Sequence, residues 1–402
     1  MAFAMKKQTV VIIAVIAIGV ALSLVVQFAP DKVFIPSDDA SGGVRLLRDD
    51  FEINVFHTRG GWVEEGAHPY AEGRFQEYPQ LGLAYITLPY FFADSYSGYR
   101  AWLLIFNTLC FVALVIVSQK LLTRLGRSNL QLLLFLLPAV LYFSFNRFDI
   151  FVVLLVQLSL YLLISKKYLW AFGIIACAVL VKWYPLLLVP LYWYYMHNTV
   201  EQEQKKQVSK KAILVFVAPL VLIFGVSFLI DGVHSLQPYV FHGSRPAGVG
   251  SLYHTLVQQL FLGTGESTAN TIGFNILLLL QVSIPLVSLF LPKYFKQRLQ
   301  KPEQLVYWSV VAIVCFFLFS RFFSPQWIVW FVPLFLLVVR GWKEVLLIIV
   351  FDILVFVSFP ILWQTVGYTS PAFISVTLAI NGIMIVLLVM FMRRIKAQPQ
   401  HT

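Results

Sequence analysis

Five carboxylates, two imidazoles and an arginine crowd the stretch DDFEINVFHTRGGWVEEGAHPY, residues 49–70. The wider segment holds Asp31, Asp38, Asp39, Asp49, Asp50, Glu52, Glu64, Glu65, Glu72, Glu77 and Asp94, more than half of the 19 acidic residues of the chain. A carboxylate set against an apolar wall has its pKa raised towards working pH, where it can take a proton from an attacking hydroxyl. Hydration of an aqueous loop accounts for most such acids taken singly; the density of the cluster is what points to chemistry.

Four further polar groups interrupt apolar sequence. Asn146, Arg147 and Asp149 in FSFNRFDI stand between two apolar runs, where ionisable groups are expensive and either pair, face a polar cavity or stay wet in a turn. Lys182 in LVKWYPLLLVP is the only charge between Tyr168 and His197. Its stem can snorkel to the interface, or its ammonium can meet a phosphate and offset charge developing on a leaving group. FHGSRPAGVGSLYH carries His242, Arg245, Ser251 and His254 on Gly- and Pro-dense backbone, which at membrane depth must line a cavity or be covered. In FSRFFSPQWIVWFVP, Arg321 precedes Ser324, Pro325 and Gln326, which open a helix whose free N–H groups can receive an anion. No GxxxxGK[ST], HExxH, GxSxG or Cys/His metal spacing occurs, so ATP hydrolysis, zinc proteolysis and serine esterase chemistry have no support.

The elements that position these groups are membrane helices. Of the 402 residues, 59% are hydrophobic and 12% charged, with mean hydropathy +0.80, and the excess of 11 positive charges falls in short clusters between apolar runs. Such clusters mark cytoplasmic loops and anionic lipid contacts, not a nucleic-acid partner. Cys110, Cys177 and Cys315 all lie in apolar runs and read as small apolar side chains. The expected fold is an all-α polytopic membrane protein, a single integral domain over 1–402 with about twelve spans, eleven to thirteen. They start near Thr9, Arg100, Asn129, Ile150, Tyr168, Tyr184, Ala212, Thr271, Leu305, Gln326, Val345 and Ala372. The first is read as a retained anchor. The Pro-flanked run from Tyr78 to Asp94, about 15 residues, is too short to span and is read as interfacial or re-entrant. Both termini are then cytoplasmic. Residues 30–99 form a large extracytoplasmic loop with interfacial helices, on the same side as Asp149, Lys182, Arg245 and Arg321.

In order and spacing, GAHPY, YPQLGLAYITLP, NRFD, VKWYP, SRPAGVGSLYH and FSRFFSPQWIVWFVP resemble glycosyltransferase superfamily C, and within it the mannosyltransferase-like family 87. The resemblance implies an inverting transfer of a hexose, mannose-like, from a polyprenyl-phosphate donor to a lipid or glycan acceptor, on the outer face of the cell membrane. A first-loop carboxylate would be the general base. The family's register lands on Glu52, with Phe56 where relatives carry Tyr, and a small shift would favour Asp50 or Asp49; the expected order is Glu52, Asp50, Asp49. Lys182, Arg321, Arg245 and His254 would surround the donor phosphate. Asn146 and Asp149 would orient the loop or a sugar hydroxyl, and Tyr78 would present its face to the sugar or the polyprenyl chain. No cofactor is required, and the acidic cluster leaves room for a divalent metal. The competing reading is a transporter or flippase for a lipid-linked or anionic solute, which would place ionisable groups near the midplane within an internal repeat.

Overall fold

The computed structural model describes residues 2–32, 44–66, most of 68–256, scattered positions between 272 and 290, and 299–397. Among the described residues the fold is helical throughout, with no strand. The helices are α1 (Ala2–Phe28), α2 (Asp50–Glu64), α3 (Gln80–Thr87), α4 (Tyr96–Arg124), α5 (Pro138–Asn146), α6 (Asp149–Ile164), α7 (Tyr168–Val181) and α8 (Val189–Thr199). Beyond them come α9 (Lys205–Asp231), α10 (Gln237–Ser244), α11 (Pro302–Leu318), α12 (Ile328–Val338), α13 (Trp342–Phe356), α14 (Trp363–Thr365) and α15 (Pro371–Ala397).

Among the described residues five helical stretches are long and apolar enough to cross a bilayer: Thr9–Phe28, Tyr96–Arg124, Lys205–His242, Trp342–Thr365 and Pro371–Ile395. A sixth is obtained if the 3-10 helix Asn129–Leu136 and α5, bent by 68° at Pro138, count as one span. Asp149–Ile164, Tyr168–Val181, Pro302–Leu318 and Pro325–Val338 are apolar but shorter. The expected twelve therefore resolve into five or six helices of spanning length and several short ones, because proline or a polar residue interrupts many of the apolar runs. The run expected from Thr271 lies mostly outside the described residues. The segment after Tyr78 forms only the eight-residue α3 and a 3-10 turn, Leu88–Phe92.

Length separates the periphery from the centre. At ~1.5 Å per residue, α4 runs about 44 Å, whereas α6 and α7 run about 24 and 21 Å. The long α9 is almost wholly exposed on its apolar face, while α11 and α12 are buried along nearly their whole length. α4, α6, α7 and α9 pack in succession, and α12 crosses α5, α6 and α11. With no water to exclude between apolar helices in lipid, close packing carries much of this cohesion. Two glycines set the layers that matter most for the site. A Cβ on Gly60 of α2 would meet the Ile86 carbonyl oxygen at 2.7 Å, and one on Gly82 of α3 would meet the Val181 oxygen at 2.7 Å. α2 is thereby pressed on α3, and α3 on the end of α7, next to Lys182.

Candidate active site

Asp49 is the N-cap of α2, and its carboxylate accepts the backbone N–H of Glu52 at 3.4 Å. Acidic residues suit this first turn, where free N–H groups point outward. Successive helical residues turn by about 100°, so Asp50 and Glu52, two apart, point about 200° from one another. Asp50 turns away from the cavity. One of its oxygens takes both Nε (2.7 Å) and Nη2 (2.6 Å) of Arg48, and the other lies 3.3 Å from the Tyr96 hydroxyl and 3.6 Å from Arg100. Asp49 is buried against Arg147, with Nη2 donating to Oδ2 at 2.7 Å. Glu52 faces the cavity, and no donor among the described residues hydrogen-bonds its carboxylate.

The cavity measures about 540 Å³. Aromatic rings form one wall: Tyr184 stacks on Trp330 at 3.9 Å and 11°, and Trp330 on Trp327 at 4.7 Å and 17°. Phe359, Trp363 and Phe373 line another side. Asp49, Glu52, Glu77, Tyr78, Arg147, Lys182 and Gln326 supply polar edges. Stacked rings bordered by carboxylates and amides suit a sugar, whose faces are apolar and whose rim donates and accepts hydrogen bonds.

Two ion pairs organise the polar edge. Lys182 Nζ meets Asp149 Oδ1 at 2.6 Å, and the Trp330 indole N–H donates to the same oxygen at 2.8 Å, while Asp149 Oδ2 is buried without a partner. Arg147 holds Asp49 with Nη2, donates from Nε to Gln326 Oε1 at 3.1 Å, and from Nη1 to the Asn146 carbonyl at 3.2 Å. Asn146 is fully buried; its Oδ1 accepts the Asp49 N–H at 2.9 Å and its Nδ2 donates to the Leu47 and Tyr142 carbonyls, each at 2.9 Å. Asn146 thus ties the approach to α2 to the end of α5.

Electrostatics separate the acids further. Glu52 is only half-buried by surface, because it borders the cavity, yet it is densely ringed by protein, and this desolvation raises its pKa. The Arg147 charge works against the shift, while the Asp49 and Glu77 carboxylates add to it. Glu77 is itself held by Arg59 at 2.9 Å, and the Arg59 guanidinium lies over the Tyr78 ring at 4.8 Å. The Tyr78 hydroxyl is buried without a hydrogen-bond partner, and burial beside Glu52 and Glu77 holds it protonated.

Other expected residues fall elsewhere. Arg321 and His254 are buried, but neither lines the cavity. Arg321 Nη2 donates to the His242 carbonyl at 3.0 Å, and its own carbonyl accepts the Gly248 N–H at 2.8 Å. It braces, from behind, a segment whose His242, Gly248 and Gly250 do line the cavity. Asp149 also stands behind the lining, presenting Lys182. Arg245, Asp38, Asp39 and Glu72 lie outside the described residues. Among the described residues no three His, Cys, Asp or Glu side chains converge as metal ligands would. Sequence reasoning passed over Glu77 as a lining residue, the Tyr184–Trp330–Trp327 stack and Gln326. One signal was available for the choice among the acids: Asp-x-x-Glu ahead of a helix is a capping pattern, which assigns Asp49 to the cap and Glu52 to the third helical position.

No curated protein matches the chain. Residues 77–321, more than half of its length, match the family profile of glycosyltransferase family 87. With long apolar helices around an aromatic, carboxylate-edged cavity, the match identifies a membrane enzyme that transfers sugar: the chain belongs to glycosyltransferase family 87.

Proposed function

We propose that the protein transfers a hexose of the mannose type from a polyprenyl-phosphate donor to a lipid or glycan acceptor at the extracytoplasmic face, with inversion and with Glu52 as the general base. The observation that carries this reading is the position of Glu52: of the three neighbouring acids, it alone faces the cavity with a carboxylate that no protein donor holds. The Asp49 and Asp50 carboxylates are already occupied by Arg147 and by Arg48, Tyr96 and Arg100, which leaves Glu52 as the carboxylate open to an acceptor hydroxyl. In the reaction Glu52 removes the acceptor hydroxyl proton as that oxygen bonds to the anomeric carbon. The bond from this carbon to the phosphate oxygen breaks, and its electron pair leaves with the polyprenyl phosphate. Lys182 keeps ammonium protons beyond the one on Asp149, and these can meet the leaving phosphate. Trp183 and Trp327 border the cavity that takes the sugar, while Trp330, stacked between Tyr184 and Trp327, presents its edge. No step in this scheme calls for a metal.

The test is transfer from radiolabelled polyprenyl-phosphate hexoses by purified protein in lipid, comparing wild type with Glu52→Gln. Turnover by wild type and its loss in Glu52→Gln are expected. Full turnover by Glu52→Gln would remove the base assignment, and solute movement across liposomes without any sugar transfer would replace the transferase reading by transport.

A further inference from the structure

Gln326 sits in the single 3-10 turn Pro325–Trp327 that leads into α12, and its side chain borders the cavity. The polarity of its amide is fixed by its neighbour. A guanidinium carries donors only, so the atom receiving Arg147 Nε at 3.1 Å must be the amide oxygen. The NH2 group is therefore turned from Arg147, and no acceptor among the described residues takes its hydrogens. Arg147 cannot rotate to release the amide without giving up Asp49 at 2.7 Å and the Asn146 carbonyl at 3.2 Å. The cavity edge near Asp49 and Arg147 thus offers a pre-oriented neutral donor.

We propose that Gln326 is a substrate-contacting residue whose amide NH2 donates to an oxygen of the bound substrates, either the phosphosugar of the donor or a hydroxyl of the acceptor. This rests on the transferase reading above. A donor whose orientation is set before substrate arrives costs little ordering on binding and discriminates by position, as a sugar specificity contact must. The aromatic wall can hold either face of many hexoses, whereas one fixed N–H fork favours the ring whose oxygen reaches it.

The experiment compares Gln326→Glu and Gln326→Leu with wild type in purified protein, using a polyprenyl-phosphate hexose and a lipid acceptor that wild type turns over. Melting temperatures are measured alongside. Gln326→Glu preserves an oxygen for Arg147, removes the donor and adds a negative charge, whereas the neutral Gln326→Leu removes both oxygen and donor. Rates are taken on the alkaline plateau of each variant, so that a displaced Glu52 titration is not read as a lost contact. Both variants are expected to lose about tenfold in kcat/KM, the size of one hydrogen bond to substrate, and Gln326→Glu without loss of melting temperature. A rise confined to the donor KM assigns the contact to the phosphosugar, and one confined to the acceptor KM assigns it to the acceptor. Wild-type kcat/KM in Gln326→Glu, with a loss only in Gln326→Leu, overturns the proposal and leaves Gln326 as a prop for Arg147. A wild type that moves no sugar to any acceptor overturns the transferase reading and this assignment with it.

Discussion

The two ends of the helix bundle both bury carboxylates against arginines, and among the described residues a cavity of about 540 Å³ opens at one of them. At the closed end Glu344, buried, accepts the backbone N–H groups of Arg340 (2.8 Å) and Gly341 (3.3 Å) and pairs with Arg394. Around it Gln131 Nε2 donates to the Val339 carbonyl at 2.7 Å and the Tyr307 hydroxyl to the Val338 carbonyl at 3.1 Å. Each group there serves a helix terminus that lacks an intrahelical partner. At the open end Asp49 and Asn146 serve the chain in the same way, but Glu52, the Gln326 amide NH2 and the Tyr78 hydroxyl are left over. A buried ion pair is thus a mark of construction at either end. What distinguishes the open end is that its leftover groups border a cavity, whereas the leftover Gln131 Oε1 and the Asn129 amide at the closed end are sealed in the packing.

The comparison can be broken most sharply at Glu52. Glu52→Gln is expected to lower kcat by about 10²–10⁴, the usual worth of a positioned general base, with an unchanged melting temperature. In wild type the same carboxylate gives a pH signature. Because burial raises its pKa, it is protonated at pH values where an ordinary glutamate is not, so activity should fall with falling pH in a limb that lies above the usual glutamate range. An acid limb in the ordinary range would mean that the group limiting the rate is a solvated one.

Asp49→Ala tests the architectural half of the open end. It strands the Arg147 guanidinium in a buried position, and about 3–5 kcal/mol of stability is expected to go, with activity lost in parallel. Thermal unfolding in detergent, followed with activity, would show whether the two losses track. Glu344→Gln at the closed end should be milder, about 1–3 kcal/mol, since the amide oxygen can still accept from the backbone, and kcat should be retained. A large kcat loss there, with stability intact, would erase the distinction between the ends. The smallest change is expected from Asp50→Asn, up to about 1 kcal/mol in stability, because its partners Arg48 and Arg100 are partly solvated, with little effect on kcat.

Much of this was legible in the sequence, for physical reasons that can be named residue by residue. Polar and charged groups in apolar runs are costly, which makes Asn146, Asp149 and Lys182 legible in the sequence, and all three lie at the open end. Their partners were harder to foresee. Lys182 finds Asp149 across 33 positions, and Asp149 finds Trp330 across 181, distances over which local patterning carries no information. Gln326 is legible as part of a helix start, but its side chain is not, because a neutral amide in a helical first turn is ordinary; the Tyr184–Trp330–Trp327 stack is hidden because aromatics are common at membrane interfaces. Spans were assigned by composition, which does not register where Pro138, Pro185 or Pro325 interrupts a run. Arg321, a cation between apolar runs, also holds the backbone of His242 and Gly248, contacts 79 and 73 positions away that the local pattern does not show.

Arg147 joins Asp49, 98 positions before it, to Gln326, 179 positions after it. These are late closures in folding, since each joins segments that many helices separate. While the chain is being made from its N-terminus, α2 and its carboxylate are in place long before the turn at Pro325 exists. An unfinished molecule therefore holds Glu52 without the amide or the indole wall that faces it. The cavity is completed only when the last third of the protein arrives, so the site is assembled by the end of the chain and not by its beginning.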